Sequence, residues 1–251
     1  MGKLDAKVAL VTGAGQGVGQ GIALALAAEG AAVALVGRTP ETLDATASQI
    51  VARGGTALAI PGNVKDPDDV DASVVKTVTE LGTVDILVNN AQQAPLGTLL
   101  EVSDRNFESG FRSGPLATLR YMRACHPHLC GGGAIVNLGS GSALRPDPVG
   151  LGAYAAVKDA IRVLTRAAAV EWGPDGIRAN VVVPLALSAG LQWWSEHAPA
   201  EFEEMRAAVP LGRIGDCETD IGRAVAFLAG PDAGYITGST LMVDGGQTYL
   251  R

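Results

Sequence analysis

Apolar positions along this chain fall into two alternating styles. Short unbroken runs such as Val8-Ala-Leu-Val-Thr12 and Ala32-Val-Ala-Leu-Val36 are each followed by a longer amphipathic stretch, the first reaching Ala28 and the second covering 41–53. The alternation continues with a strand over 56–60, a helix over 68–81, the run Asp85-Ile-Leu-Val88, a long helix to about Leu129, and the strand Ala134-Ile-Val-Asn-Leu138. Beyond it the pattern predicts a helix over 154–172, a strand over 177–183, an irregular region to about Asp216, a helix over 219–228 and a last strand over 240–243. Repeated strand-to-helix alternation marks βαβ units, and strands buried on both faces read as continuous apolar runs. The expected architecture is therefore α/β: a doubly wound parallel sheet of about seven strands with helices on both faces.

Composition narrows the class. With 251 residues, 47% of them hydrophobic, the chain can bury a substantial core, and no linker or repeat divides it, so a single domain over 1–251 is expected. Its 33 glycines follow no collagen-like period and belong in loops and close-packed turns. A formal net charge of −7 removes the broad positive field that nucleic acid or an anionic membrane would require. Cys125, Cys130 and Cys217 form no CxxC pair and no His cluster accompanies them, which fits neither a disulfide framework nor a zinc site. The N-terminal stretch lacks the apolar run of a signal peptide. A cytoplasmic protein without a metal is the expectation.

Chemistry first enters at the end of the first strand. Thr12-Gly-Ala-Gly-Gln-Gly-Val-Gly19 runs straight into a helix, placing bare backbone amides where a pyrophosphate can meet the helix N-terminus, as in a Rossmann-like dinucleotide site. The spacing is TGxxxGxG, not the usual GxGxxG. An acidic residue about 20 positions on would bind the adenosine ribose 2′-hydroxyl. Here the second strand ends Val36-Gly37-Arg38, and a guanidinium suits a 2′-phosphate, so NADP(H) is preferred with NAD(H) as the alternative.

Tyr154-Ala-Ala-Val-Lys158 opens a later helix, and the i, i+4 spacing sets phenol and ammonium on one face. A free phenol, with a pKa near 10, trades protons poorly at neutral pH, and a nearby cation stabilises the phenolate. The pair follows, by one loop, the strand that ends Asn137-Leu-Gly-Ser140. Ligands of a doubly wound sheet gather at such strand ends.

Together these motifs resemble the short-chain dehydrogenase/reductase family, most closely its 3-oxoacyl reductases, nearly from end to end. Asp85-Ile-Leu-Val-Asn-Asn-Ala91, Ile135-Val-Asn-Leu-Gly-Ser140, Ile177-Arg-Ala-Asn-Val181, Pro210-Leu-Gly-Arg213 and Thr237-Gly-Ser-Thr-Leu-Met-Val-Asp-Gly-Gly246 carry the likeness alongside TGxxxGxG and YxxxK. The resemblance implies that Tyr154 is the general acid/base, that Lys158 binds the nicotinamide ribose and lowers the tyrosine pKa, and that Ser140 holds the substrate oxygen. It implies cofactor contacts from Gly13, Gln16, Gly17, Val18, Gly19, Arg38, Asn63, Val64, Asn90, Ala91, Tyr154, Lys158 and Pro184. It also implies a homotetramer, with a dimer as the alternative, and a small carbonyl or alcohol as the substrate.

Several positions depart from that pattern. Gly114 stands where the likeness leads to an asparagine that supports a water-linked proton relay to the lysine, and Gly114-Pro115 inside a helical pattern predicts a kink. Gln92 replaces a glycine beside the cleft, and Leu185 follows Pro184 in place of glycine. Ser142, two positions after Ser140, is a second hydroxyl near the site. Residues 185–213, with Trp193, Trp194 and His197, suggest a lid over a substrate or an oligomer contact. Gln92, Ser142, Trp193 and Trp194 are thus the candidate substrate contacts. The leading reading is an NADP(H)-dependent carbonyl reductase or alcohol dehydrogenase; the alternative is a nucleotide-binding homologue without catalysis, serving sensing or assembly.

Overall fold

The computed structural model describes residues 2–145 and 150–248; Met1 and the final residues of the expected 1–251 domain lie outside the described residues, as does 146–149. In chain order the elements are β1 (Val8–Thr12), α1 (Gly17–Ala28), β2 (Ala32–Gly37), α2 (Pro40–Ala52), β3 (Ala57–Pro61), α3 (Pro67–Leu81), β4 (Ile86–Asn89), α4 (Asp104–Ser113) and α5 (Pro115–Leu129). They continue with β5 (Ala134–Leu138), α6 (Gly152–Glu171), β6 (Arg178–Pro184), α7 (Ala189–His197), α8 (Pro199–Ala207), α9 (Arg223–Ala229) and β7 (Thr240–Val243). The seven strands form one sheet in the order β3-β2-β1-β4-β5-β6-β7, every pair parallel. The doubly wound sheet read from the apolar runs is the fold.

Strand pleating explains why those runs are continuous. Ala9 and Val11 of β1 face a core built with α1 and α9, while Leu10 between them faces a second core built with α3 and α5. The order reverses where β1 pairs with both β2 and β4, which opens a crevice beyond the C-terminal ends of β1 and β4. Among the described residues no helix is long and apolar enough to cross a membrane.

Two predicted elements differ. The long helix expected to end near Leu129 is two helices broken at Gly114, whose φ of −97° and ψ of −100° lie outside the helical region. Pro115, lacking an N–H, starts α5 at no cost, and the break stays bonded on both sides: Gly114 N donates to Gly110 O at 2.9 Å and Gly114 O accepts from Thr118 N at 2.8 Å. The region expected to be irregular contains α7 and α8. Ser188 caps α7 by accepting from Leu191 N, Pro199 opens α8, and Trp194 meets Phe202 edge-on at 5.8 Å. These nine-residue helices pair their large rings with each other, so neither shows the apolar stripe of a core-facing helix.

A buried polar chain fixes α6 to the sheet. Asn137 of β5, fully buried, accepts from Asn89 Nδ2 at 2.8 Å and donates through its own Nδ2 to Thr165 Oγ1 at 2.8 Å. Asn137→Ala strands the Asn89 amide donor on β4 away from water and takes from Thr165 the hydrogen bond it accepts, leaving only its own bond to Ile161 O. Urea unfolding is expected to show a loss of about 2–3 kcal/mol; a loss under about 0.5 kcal/mol, the range of surface changes, contradicts the role given to this chain.

Candidate active site

The turn after β1 is packed backbone against backbone. Gly13 holds φ at +68°, and a Cβ on it would lie 2.8 Å from Asn90 Nδ2 and 3.0 Å from Ala91 Cα. A Cβ on Gly19 would collide with Gly13 O and Asn90 Nδ2, so this contact admits only glycine. Asn90 locks it: its Nδ2 donates to Thr12 O at 3.0 Å and Gly13 O at 3.2 Å, while the N–H groups of Asn90 and Ala91 both donate to Thr12 Oγ1. Gln16 at the N-cap of α1 makes no side-chain cap, and Gln16, Gly17, Val18 and Gly19 line the cleft with the positive end of the helix dipole.

That cleft has a volume of about 470 Å3. Arg38, Thr39, Asn63 and Val64 line one part, the glycine turn with Asn90 and Ala91 the middle, and Gln92, Ser113, Tyr154 and Ser188 another. A glycine-rich turn, amides at a helix N-terminus and an exposed guanidinium at the β2 end fit an extended dinucleotide with a further phosphate.

Tyr154 lies in the first turn of α6 and Lys158 one turn on, its Nζ 5.8 Å from the centre of the phenol ring. Lys158 is buried and its Nζ donates to Leu138 O, the last residue of β5, at 2.7 Å. Burial lowers the Lys158 pKa from its ordinary 10.5 to about 8. Burial likewise raises the Tyr154 pKa above its ordinary 10, against the pull of a hydrogen bond with Ser140. In this structure burial, and not the ammonium, sets the direction of the phenol's shift, so Tyr154 holds its proton at neutral pH. Ser140, two residues beyond β5, has extended backbone, φ −155°, and its Oγ also accepts from Ser142 N at 3.3 Å.

The other sequence candidates fall into three groups. Pro184 ends β6, half-buried beside Val243 of β7. Ser142 lies in a short helical turn, tied to Ser140 by its backbone. Trp193 is exposed and stacked on His197 at 4.2 Å, and Trp194 faces Phe202; neither ring is among the residues lining the described cleft, which this segment meets through Ser188 and Gly190. Gln92 does line the cleft, and its amide occupies the space beside Gly114.

Lys65, Ser113 and Ser188 also line the cleft and were not anticipated. Lys65 directly follows the Asn63-Val64 pair, and Nζ donates to Gln93 Oε1 at 3.1 Å and Ser109 Oγ at 3.3 Å. Ser113 and Ser188 carry no signal beyond their places before Gly114 and after the last residues of β6. The fold also assembles what spacing did not reveal: His126, Cys130 and Asp175 place metal-ligating atoms within 4.8 Å of one another. That cluster precedes β5 and β6 at their N-terminal ends, away from the cleft.

A family model described as Enoyl-(Acyl carrier protein) reductase matches residues 13–248. The chain is 40% identical over 256 residues to a 12alpha-hydroxysteroid dehydrogenase of Clostridium sp., covering 98% of each, and 33% identical to a 2,3-dihydro-2,3-dihydroxybenzoate dehydrogenase of Bacillus subtilis, covering 98% of this chain and 97% of the relative. A crystal structure of a short chain dehydrogenase from Burkholderia cenocepacia J2315 in complex with NADP superposes with a TM-score of 0.90 at 33% identity, over 98% of this chain and 99% of the other. The chain belongs to the short-chain dehydrogenase/reductase family, whose members are NAD(P)-dependent oxidoreductases acting on CH–OH and C=O groups.

The buried lysine ties stability to pH with a definite sign. Its folded pKa of about 8 lies below the ordinary 10.5, so between those values the unfolded chain binds more protons and stability rises with pH. Denaturation of wild type is expected to show a gain of about 2–3 kcal/mol from pH 8 to 10.5, absent from Lys158→Met. The same slope in both proteins contradicts the burial of a charged Lys158.

Proposed function

We propose that this chain is an NADP(H)-dependent oxidoreductase interconverting a ketone, or a 3-oxoacyl group, and a secondary alcohol, with Tyr154 as the general acid/base. The observation that carries the reading is the phenol of Tyr154, bonded with Ser140 and backed by Lys158, opening on the cleft that the glycine turn lines. Relatives named for a hydroxysteroid and a dihydrodiol support a secondary alcohol as the reacting group. Arg38, exposed at the end of the cleft, supports NADP(H) over NAD(H).

A bound nicotinamide supplies the hydride. The chain supplies the rest. The Ser140 hydroxyl donates to the substrate oxygen and holds it in place. Tyr154 Oη gives that oxygen its proton in the reducing direction and takes it back in the oxidising one. Lys158, 5.8 Å from the ring centre, stabilises the phenolate left behind. Gln16, Gly17, Val18 and Gly19 offer backbone amides to a pyrophosphate; Gly13, whose own amide donates to Val36 O at 2.7 Å, borders the nucleotide with Asn63, Val64, Asn90, Ala91 and Pro184. The segment 185–213, with α7 and α8, is the lid of a single domain, Trp193 and Trp194 meeting substrate or a second subunit as it closes. A homotetramer in the cytoplasm completes the reading.

NADPH oxidation against a panel of ketones and 3-oxoacyl thioesters is expected to show turnover by wild type. Tyr154→Phe should lower kcat by about 10²–10⁴-fold with NADPH binding retained. Full activity in Tyr154→Phe contradicts the assignment, and saturable NADPH binding without hydride transfer across the panel supports the binding-only homologue. Arg38→Asp is expected to weaken NADPH binding about 10–100-fold, roughly 1.4–2.8 kcal/mol, while leaving NADH nearly unchanged; equal losses for both cofactors remove the argument for NADP(H).

A further inference from the structure

Gln92 carries an unusual atom. Its Oε1 is the one buried side-chain polar atom found without a hydrogen-bond partner among the described residues. The amide cannot simply be turned over. Nε2 donates to Gln93 O at 2.8 Å and to Gly110 O at 3.1 Å, and lies 3.4 Å from Ser113 Oγ; reversal would press Oε1 against two carbonyl oxygens. Oε1 is therefore committed to the far side, toward Gly114. A Cβ on Gly114 would collide with Oε1 and lie 2.8 Å from Val157 Cγ1. The carboxamide thus fills the side-chain space of position 114, between the break of α4 with α5 and the wall of α6.

A buried carbonyl oxygen without a donor costs about 1–3 kcal/mol. The residue after Val157 has the opposite deficit. An ammonium presents three donors, and the hydrogen bond Lys158 Nζ makes within the described residues is the one to Leu138 O. A water bridging Oε1 and Nζ would relieve both deficits, the purpose that buried waters serve.

We propose that Gln92 is a positioning residue for the Tyr154–Lys158 pair: its carboxamide takes the place of a side chain at position 114, pins the α4–α5 break to the end of β4, and through Oε1 holds a water that is shared with the Lys158 ammonium. This deepens the reading of the cleft as a site of carbonyl reduction and rests on it. The consequence is electrostatic. Burial alone depresses the Lys158 pKa; on its own helix Asp159 pairs with Arg162, and the phenol of Tyr154 has its ring centre 5.8 Å from Nζ. The acceptor that Gln92 provides keeps Lys158 charged beside the phenol.

Two measurements decide the matter. Nitrogen NMR titration of Lys158 Nζ, assigned with Lys158→Met, is expected to show the lysine titrating about one unit lower in Gln92→Leu than in wild type. The upper limb of the kcat–pH profile is expected to move with it, while KM for NADPH stays within about twofold. An unchanged Lys158 titration in a folded Gln92→Leu overturns the proposal. The second measurement covers a failure of that variant to fold. Gly114→Asn alone is expected to collide with Gln92 and lower both Tm and kcat, and Gln92→Gly added to it is expected to recover both, because one carboxamide then occupies the shared space. A double variant no better than Gly114→Asn overturns the proposal. If Lys158 titration moves while wild type reduces no carbonyl, the positioning role stands and the proposed function falls. If wild type turns over and the titration does not move, the reverse holds.

Discussion

The hydrogen bond from the buried ammonium of Lys158 to Leu138 O, 2.7 Å long, is the contact on which the proposed chemistry of this cleft depends. It joins the first turns of α6 to the last residue of β5, and so sets Tyr154 against Ser140 at the strand's end. Burying a cation opposes folding, and the pKa near 8 expresses that opposition. The fold answers with the chain Asn89–Asn137–Thr165, which docks the middle of α6 on β4 and β5, and with apolar cores on both faces of the sheet. Function is placed where the framework is rigid enough to hold a charge it would otherwise expel.

The same logic governs the other half of the cleft. Asn90 ties β4 to the glycine turn after β1, and the Gly13 and Gly19 backbones come so close to it that no side chain fits. Parallel pairing of β1 with β4 puts the turn beside the β4 loop, and pairing of β4 with β5 brings both to Ser140. The glycine turn and the Ser140–Tyr154–Lys158 group are therefore neighbours because of strand order, although they lie more than 100 positions apart in sequence.

Much of this was legible in the chain. Continuous apolar strands and amphipathic helices are local patterns, and they located the sheet within a residue or two, as with α2 expected over 41–53 and found at Pro40–Ala52. Tyr154, Lys158, Ser140 and the glycine turn were legible because their spacing is short. The helices α7 and α8 were not, because their rings pair with one another and leave no core-facing period. Trp193 stacks on His197 and Trp194 meets Phe202 edge-on, so neither ring lines the described cleft. Gln92 and Gly114 each stood out as a departure, yet that one fills the space of the other is a fact of three dimensions, from residues 22 positions apart in sequence.

The account stands most directly on where hydride goes. NADPH carrying deuterium at the reactive C4 position, incubated with wild type and a ketone from the panel, is expected to yield a secondary alcohol bearing deuterium on its carbinol carbon. Tyr154→Phe is expected to form that product at least about 100-fold more slowly. Cofactor that binds yet keeps its deuterium, with no labelled alcohol from any ketone tried, would contradict the central claim.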